Sequence, residues 1–255
     1  MPILIAQGEP IYYQQHKGNP ARPPLVLVHG AGGNHMHWPP EVRRLAGPAV
    51  YALDLPGHGK SGGPGRTSIA RYAEAVASIA EALRLPRFVL AGHSMGGAIA
   101  QEYALNWPEK LAGLILVGTG ARLPVSPQIL DGILTDYAAT TALVTRWAYG
   151  DHVAPALLAE YTRRLRQVPA SLIHGDYEAC EAFDRRPDVA RIVLPTLVLC
   201  GGADRMTPPK FSQSLAEQIS GAKLVLIPGA GHMVMLEQPA AVAGAVGSFL
   251  AGVPG

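Results

Sequence analysis

A chain of 255 residues, 48% apolar and 16% charged, suits one large globular domain with a sizeable core. Its 21 basic and 19 acidic residues leave a formal charge of +2, scattered apart from short clusters such as Arg163, Arg164 and Arg166, which argues against a nucleic-acid or anionic-membrane partner. The opening MPILIAQGEP has no basic leader and falls far short of the roughly 18 apolar residues of a membrane span, and Cys180 and Cys200 are too few for a disulfide framework, so the composition predicts a cytoplasmic protein with reduced, packed thiols.

In chain order, residues 3–5 and 11–13, separated by AQGEP, predict an antiparallel hairpin at a sheet edge. Short continuous apolar runs follow at 25–28, 50–53, 88–91, 114–117, 196–199 and 223–227, the pattern of parallel strands covered on both faces. Between the second and third of these runs, Ile69, Tyr72, Val76, Ile79 and Leu83 recur at steps of three and four behind a Ser68 N-cap, predicting one amphipathic helix. Residues 95–105 read as a helix. Later, Thr207 with Pro208 opens a helix carrying Phe211, Leu215 and Ile219, and Pro239 opens one carrying Val242, Val246 and Phe249. The fold class is α/β, a mostly parallel eight-stranded sheet with helices on both faces.

No strand-like run interrupts residues 120–195. Ser126-Pro127 leads into Ile129, Ile133 and Tyr137, and Pro155 leads into Leu158, Tyr161 and Leu165, both at helical spacing. A structureless loop of that length does not suit a compact domain, so the segment reads as a helical cap inserted between strands 6 and 7. The expected organisation is core 1–119, cap 120–195 and core 196–255. A cap so placed sits over the carboxyl ends of the strands, where open α/β sheets bind ligands.

The stretch VLAGHSMGGAIAQ, residues 89–101, sets Ser94 between a strand and a helix, with Gly92 and Gly96 two residues to either side. Small residues there let the backbone turn sharply and display the serine at the sheet's upper edge, next to the unpaired N–H groups of a helix start. A serine hydroxyl needs a base and a carboxylate to orient that base. Asp204 in CGGADRMTPP and His232 in PGAGHMVMLEQP each follow a strand, giving the order serine, acid, histidine. HGAGG offers the N–H of Ala31, or alternatively Gly32, as oxyanion donor beside Met95.

These landmarks, with LVLVHGAGG and ALDLPGHGKSGG, resemble the alpha/beta-hydrolase superfamily over almost the whole chain, and within it the compact capped members that include carboxylesterases, enol-lactone hydrolases and cofactor-free haloperoxidases. The resemblance implies Ser94 as nucleophile, Asp204 as orienting acid, His232 as base, and Ala31 with Met95 as oxyanion donors. It implies a serine hydrolase of the carboxylesterase or lactonase type, without cofactor or metal, acting on a small, largely apolar ester or lactone. Ser94 departs from relatives that carry an aspartate nucleophile, His93 from carbon–carbon hydrolases that often have asparagine there, and LVGTGA holds no carboxylate for an earlier acid position. Perhydrolysis, acyl transfer or carbon–carbon cleavage with the same residues is the alternative, followed by a non-catalytic receptor, and a homo-oligomer stays open.

His93 is expected to make a structural hydrogen bond. His35 and His37 have no third ligand beside them to make a metal site. GHGKSG lacks the glycine spacing of a phosphate loop, so Asp54 and His58 are expected to form a turn. The expected pocket residues are Gly32, Trp38, Tyr137, Trp147 and Tyr161, with Tyr149 also in view.

Overall fold

In the computed structural model, which describes residues 3–254, eight strands form one sheet in the order β1-β2-β4-β3-β5-β6-β7-β8. Met1, Pro2 and Gly255, the outermost residues of the expected domain bounds and the first two of the sequence read for a leader, lie outside the described residues. The strands are β1 (Ile3–Ala6), β2 (Glu9–His16), β3 (Leu25–Val28), β4 (Val50–Leu53), β5 (Phe88–His93), β6 (Leu111–Val117), β7 (Thr196–Gly201) and β8 (Lys223–Ile227). β1 and β2 pair antiparallel, as does β2 with β4, and every later pairing is parallel.

The apolar runs are continuous because the central strands bury both faces. Val26, Val28, Leu90, Leu114, Leu116 and Val198 pack into one core under α2 (Ile69–Ala82) and α3 (Met95–Asn106). The alternating residues Leu25, Leu27, Val89, Ile115, Val117 and Leu197 pack into a second core on the other face, with α1 (Pro40–Arg43) and α10 (Pro239–Ala251). Ser68 caps α2 by accepting from the Arg71 N–H. β6 begins three residues earlier than its apolar run suggests, since Gly113 interrupts the pattern at a point where a Cβ would meet the Phe249 ring at 3.3 Å.

Between β6 and β7 lie α4 (Pro127–Thr135), α5 (Tyr137–Ala148), α6 (Pro155–Leu165) and α7 (Ala170–Glu181). The expected run from Ile129 through Tyr137 is two helices, because the Asp136 carboxylate accepts from the Ala139 N–H and caps a new one. α5 and α7 carry no clear period in the sequence. After β7, α8 (Pro209–Gln218) starts at Pro209 rather than Pro208, and α9 (Val234–Glu237) precedes α10. Among the described residues no helix is long and apolar enough to cross a membrane. Cys180 and Cys200 are buried free thiols, and burial pushes the Cys200 thiol up to about 11.

Candidate active site

The β5 strand runs to His93, and Ser94 turns the chain with φ +54° and ψ −117° into α3. A non-glycine residue in such a region costs about 1–3 kcal/mol and persists only when its surroundings fix it. They do: the Ser94 N–H donates to the Val117 carbonyl at 2.9 Å, and the Ser94 carbonyl accepts from Gly97 N, Ala98 N and the Thr119 hydroxyl. A Cβ at Gly92 would collide with the Gly96 carbonyl, and one at Gly96 would lie 2.6 Å from the His29 carbonyl. Only glycine fits at either flank of the turn.

Asp204, on the loop after β7, is 3% exposed. Its Oδ1 accepts from Met206 N at 2.9 Å and Thr207 N at 2.8 Å; its Oδ2 accepts from the Thr207 hydroxyl at 2.9 Å and lies 2.8 Å from His232 Nδ1. Burial works against the carboxylate, but the charge and hydrogen bond of His232 and the bonds from Thr207 outweigh it and hold Asp204 below the ordinary range. Nδ1–H given to Asp204 leaves His232 Nε2 with its lone pair, the form a general base requires. Ser94 and His232 line one cavity. No hydrogen bond joins Ser94 Oγ to His232 among the described residues, a contact that tightens in many such sites only when substrate binds.

His93 Nε2–H donates to the His232 carbonyl at 3.0 Å, with the two rings 4.7 Å apart. Burial, with the neighbouring His232, keeps it well below the ordinary imidazole range, hence neutral. It thus steadies the backbone of the loop that carries His232.

The Ala31 and Met95 N–H groups donate to no protein acceptor among the described residues. Gly32 is different, because its N–H donates to Asp176 Oδ2 at 2.8 Å. That bond engages the Gly32 N–H within the protein.

The cavity, of about 670 Å³, lies between the cap and the carboxyl ends of the strands. Val144, Ala148, Leu165, Val168, Met206 and Leu236 give it apolar walls. Gly32 and Tyr161 line it, as does Tyr149, whose ring stacks on that of Tyr161 at 4.4 Å with an interplanar angle of 1°. Three expected pocket residues do not line it. Trp38 is fully buried in the core that holds Leu27 and Val42. Tyr137 directs its hydroxyl to the carbonyls of Leu165 and Val168, tying α5 to the end of α6. Trp147 packs against the cap's own apolar cluster around Ile133 and Ile173.

His35 pairs with Asp54 at 2.8 Å, and Asp54 also accepts from the N–H groups of His35 and Lys60, so the carboxylate shapes the turn. His58 lines the cavity but its ring is engaged by Asp176. His37 lines it too, and burial with the nearby His58 pulls it down to about 4, so it brings no positive charge. Sequence reasoning missed Asp176, Glu237 and the hydroxyl of Thr207, whose partners become neighbours only on folding.

The alpha/beta hydrolase family model matches residues 25–245. The chain is 32% identical over 231 residues to the dihydrolipoyllysine-residue acetyltransferase component of the acetoin cleaving system of Pseudomonas putida, covering 84% of this chain but 60% of that protein, less than two thirds of its length. It is 29% identical over 249 residues to 3-oxoadipate enol-lactonase 2 of Acinetobacter baylyi, covering 93% of this chain and 92% of that one. A solved structure of a thermophilic esterase superposes with a TM-score of 0.87 at 32% identity, covering 99% of this chain and 97% of that one.

Proposed function

Because the chain belongs to the alpha/beta hydrolase family, we propose that it is a serine hydrolase that cleaves a small, largely apolar carboxylic ester or lactone through an acyl-enzyme on Ser94. One relationship supports this above the others: Ser94, held at a helix start with positive φ, shares a cavity with His232, whose Nδ1 is 2.8 Å from the buried Asp204 carboxylate. Similarity to an enol-lactonase and to a thermophilic esterase supports the same bond type.

In this mechanism His232 Nε2 takes the Ser94 proton as Oγ attacks the carbonyl carbon. The carbonyl oxygen gains negative charge and is stabilised by the N–H groups of Ala31 and Met95, the latter at the positive end of α3. Asp204 steadies the imidazolium. The tetrahedral intermediate collapses, His232 protonates the departing alkoxide, and an acyl ester remains on Ser94. Water, deprotonated by His232, repeats the sequence and frees the acid; with a lactone the product is one hydroxy acid.

The apolar walls favour an apolar acyl chain, and Arg163 and Arg164, which also line the cavity, are paired with Glu160. Hydrolysis of p-nitrophenyl esters from acetate to palmitate tests both points. Turnover is expected to peak at a short or medium chain and to fall for palmitate; no turnover on any ester, and none on a lactone series, contradicts the assignment.

A further inference from the structure

We propose that Asp176 is a positioning residue that holds the oxyanion turn of residues 30–33 in its working shape from the cap. The proposal rests on the serine hydrolase assignment above. Asp176 sits on α7, 144 residues from Gly32, and is 1% exposed. Its Oδ2 accepts from Gly32 N and from His58 Nε2, both at 2.8 Å, and its Oδ1 accepts from the Tyr72 hydroxyl at 2.6 Å. An apolar side chain would fill this place without the desolvation a buried carboxylate suffers. What the carboxylate adds is geometry.

The ring of His58 faces acceptors on both sides, Pro56 O at 2.9 Å from Nδ1 and Asp176 from Nε2, so both nitrogens carry protons. Burial opposes that charge, but the hydrogen bond and charge of Asp176 overcome it and raise His58 above the ordinary imidazole range. His29 lies beside it, ring centroids 4.9 Å apart, and has the opposite form. Its Nε2 accepts the Leu55 N–H at 3.1 Å, so Nδ1 carries the proton and donates to the Gly30 carbonyl at 2.8 Å. Burial and the proximity of His58 keep it neutral.

The turn is therefore pinned by three hydrogen bonds: Gly30 O by His29 and by Gly33 N at 3.1 Å, and Gly32 N by Asp176. Gly32 has φ +60°, the sign a type II turn requires at its third position. In such a turn the peptide between Ala31 and Gly32 is the one free to rotate. Rotation would turn the Ala31 carbonyl toward the Asp176 carboxylate, oxygen against oxygen; the Ala31 N–H belongs to the preceding Gly30–Ala31 peptide, held at Gly30 O, so Asp176 steadies that N–H through the shape of the turn and not by fixing it directly. The carboxylate excludes that state, and because it belongs to α7 the cap and the oxyanion turn are one mechanical unit.

An oxyanion donor acts on the transition state more than on the bound ester, so its loosening lowers kcat and spares KM. Asp176→Ala, assayed on p-nitrophenyl butyrate, is expected to lose about 10- to 100-fold in kcat, less than outright loss of a donor, with KM within about twofold. The Ki of an alkyl boronic acid, which forms a tetrahedral adduct on the serine, is expected to rise by the same factor as kcat falls. Asp176→Asn, with one acceptor oxygen and no charge, is expected to fall between Ala and wild type. Tyr72→Phe removes only the Oδ1 contact and is expected to keep kcat within about threefold. Wild-type kcat in the aspartate variants, or a change confined to KM, overturns the positioning role; if Asp176→Ala does not fold, Asp176→Asn decides alone by the same criterion. A wild-type protein silent on every ester removes the hydrolase assignment instead, so the two failures are distinct.

Discussion

Glu237 grips Gly231 with both carboxylate oxygens, each 3.0 Å from the glycine nitrogen. Gly231 precedes His232, and Oε2 also accepts from Gly150 N at 2.9 Å on the cap. A single carboxylate, its side chain 1% exposed, thus joins the loop of the proposed base to the end of α5. Glu237→Ala leaves two buried amides without an acceptor, and at about 1–3 kcal/mol each the expected loss is about 2–6 kcal/mol in urea unfolding. Glu237→Gln should lose less, since one oxygen survives. Equal stability of the alanine variant and wild type would show that the two amides find other partners.

Asp204→Asn preserves the acceptor for Met206 and Thr207 while removing the charge that faces His232. The imidazole can then turn its lone pair inward, and kcat on a p-nitrophenyl ester is expected to fall roughly 10³- to 10⁴-fold with little change in KM. The stability effect has a fixed sign. A carboxyl held below its ordinary range stabilises the fold fully above the reference value of about 3.9, and that stabilisation is lost as pH falls through the folded value. Acid unfolding of Asp204→Asn should therefore begin from a lower plateau and show a shallower dependence than wild type; an unchanged acid limb would contradict this.

The His58–Asp176 pair has the opposite pH signature. Asp176 raises His58 against the burial that opposes its charge, with Asp54 adding to the shift, while neutral His29 and the Tyr72 ring pack beside it. Its stabilisation is complete below the reference imidazole value of about 6.5 and is lost as pH rises through the folded value. Melting temperature is expected to decline from pH 6.5 toward 9 in wild type and to be flatter over that interval in His58→Gln. Parallel profiles would contradict a charged His58.

The stacked rings of Tyr149 and Tyr161 form one wall of the cavity. Such a pair contributes about 0.5–1.5 kcal/mol beyond area burial, so Tyr161→Ala is expected to raise KM for a medium-chain ester about 2- to 10-fold and to leave acetate hydrolysis near wild type. A uniform effect across chain lengths would place Tyr161 outside the acyl path.

The turn at Ser94 was legible because its residues are local: Gly92, Ser94 and Gly96 lie within five residues, between a strand run and a helix. Asp204 stands out in the sequence because it follows β7, an apolar run buried on both faces, and His232 because it follows β8, an apolar run even though Leu224 and Leu226 are exposed at the sheet edge. The cap was less readable. Ile129, Ile133 and Tyr137 keep helical spacing across a break made by Asp136, and α5 and α7 carry no clear apolar period of their own. Trp38 was read toward the ligand, yet a large apolar ring gains more from the core beneath β3 than from a wet cavity. Asp176 and Glu237 look like ordinary helix carboxylates in the sequence. Their roles come from the amides of Gly32 and Gly231, and Gly32 is 144 residues away from its partner.

The nucleophile can be tested without knowing the natural substrate. Intact-mass and peptide analysis after treatment with a fluorophosphonate should show one phosphonyl adduct, on Ser94, formed in step with loss of ester hydrolysis, and Ser94→Ala should be folded, unlabelled and inactive. Labelling at another residue, or an alanine variant that still hydrolyses the ester at the wild-type rate, would contradict an acyl-enzyme on Ser94.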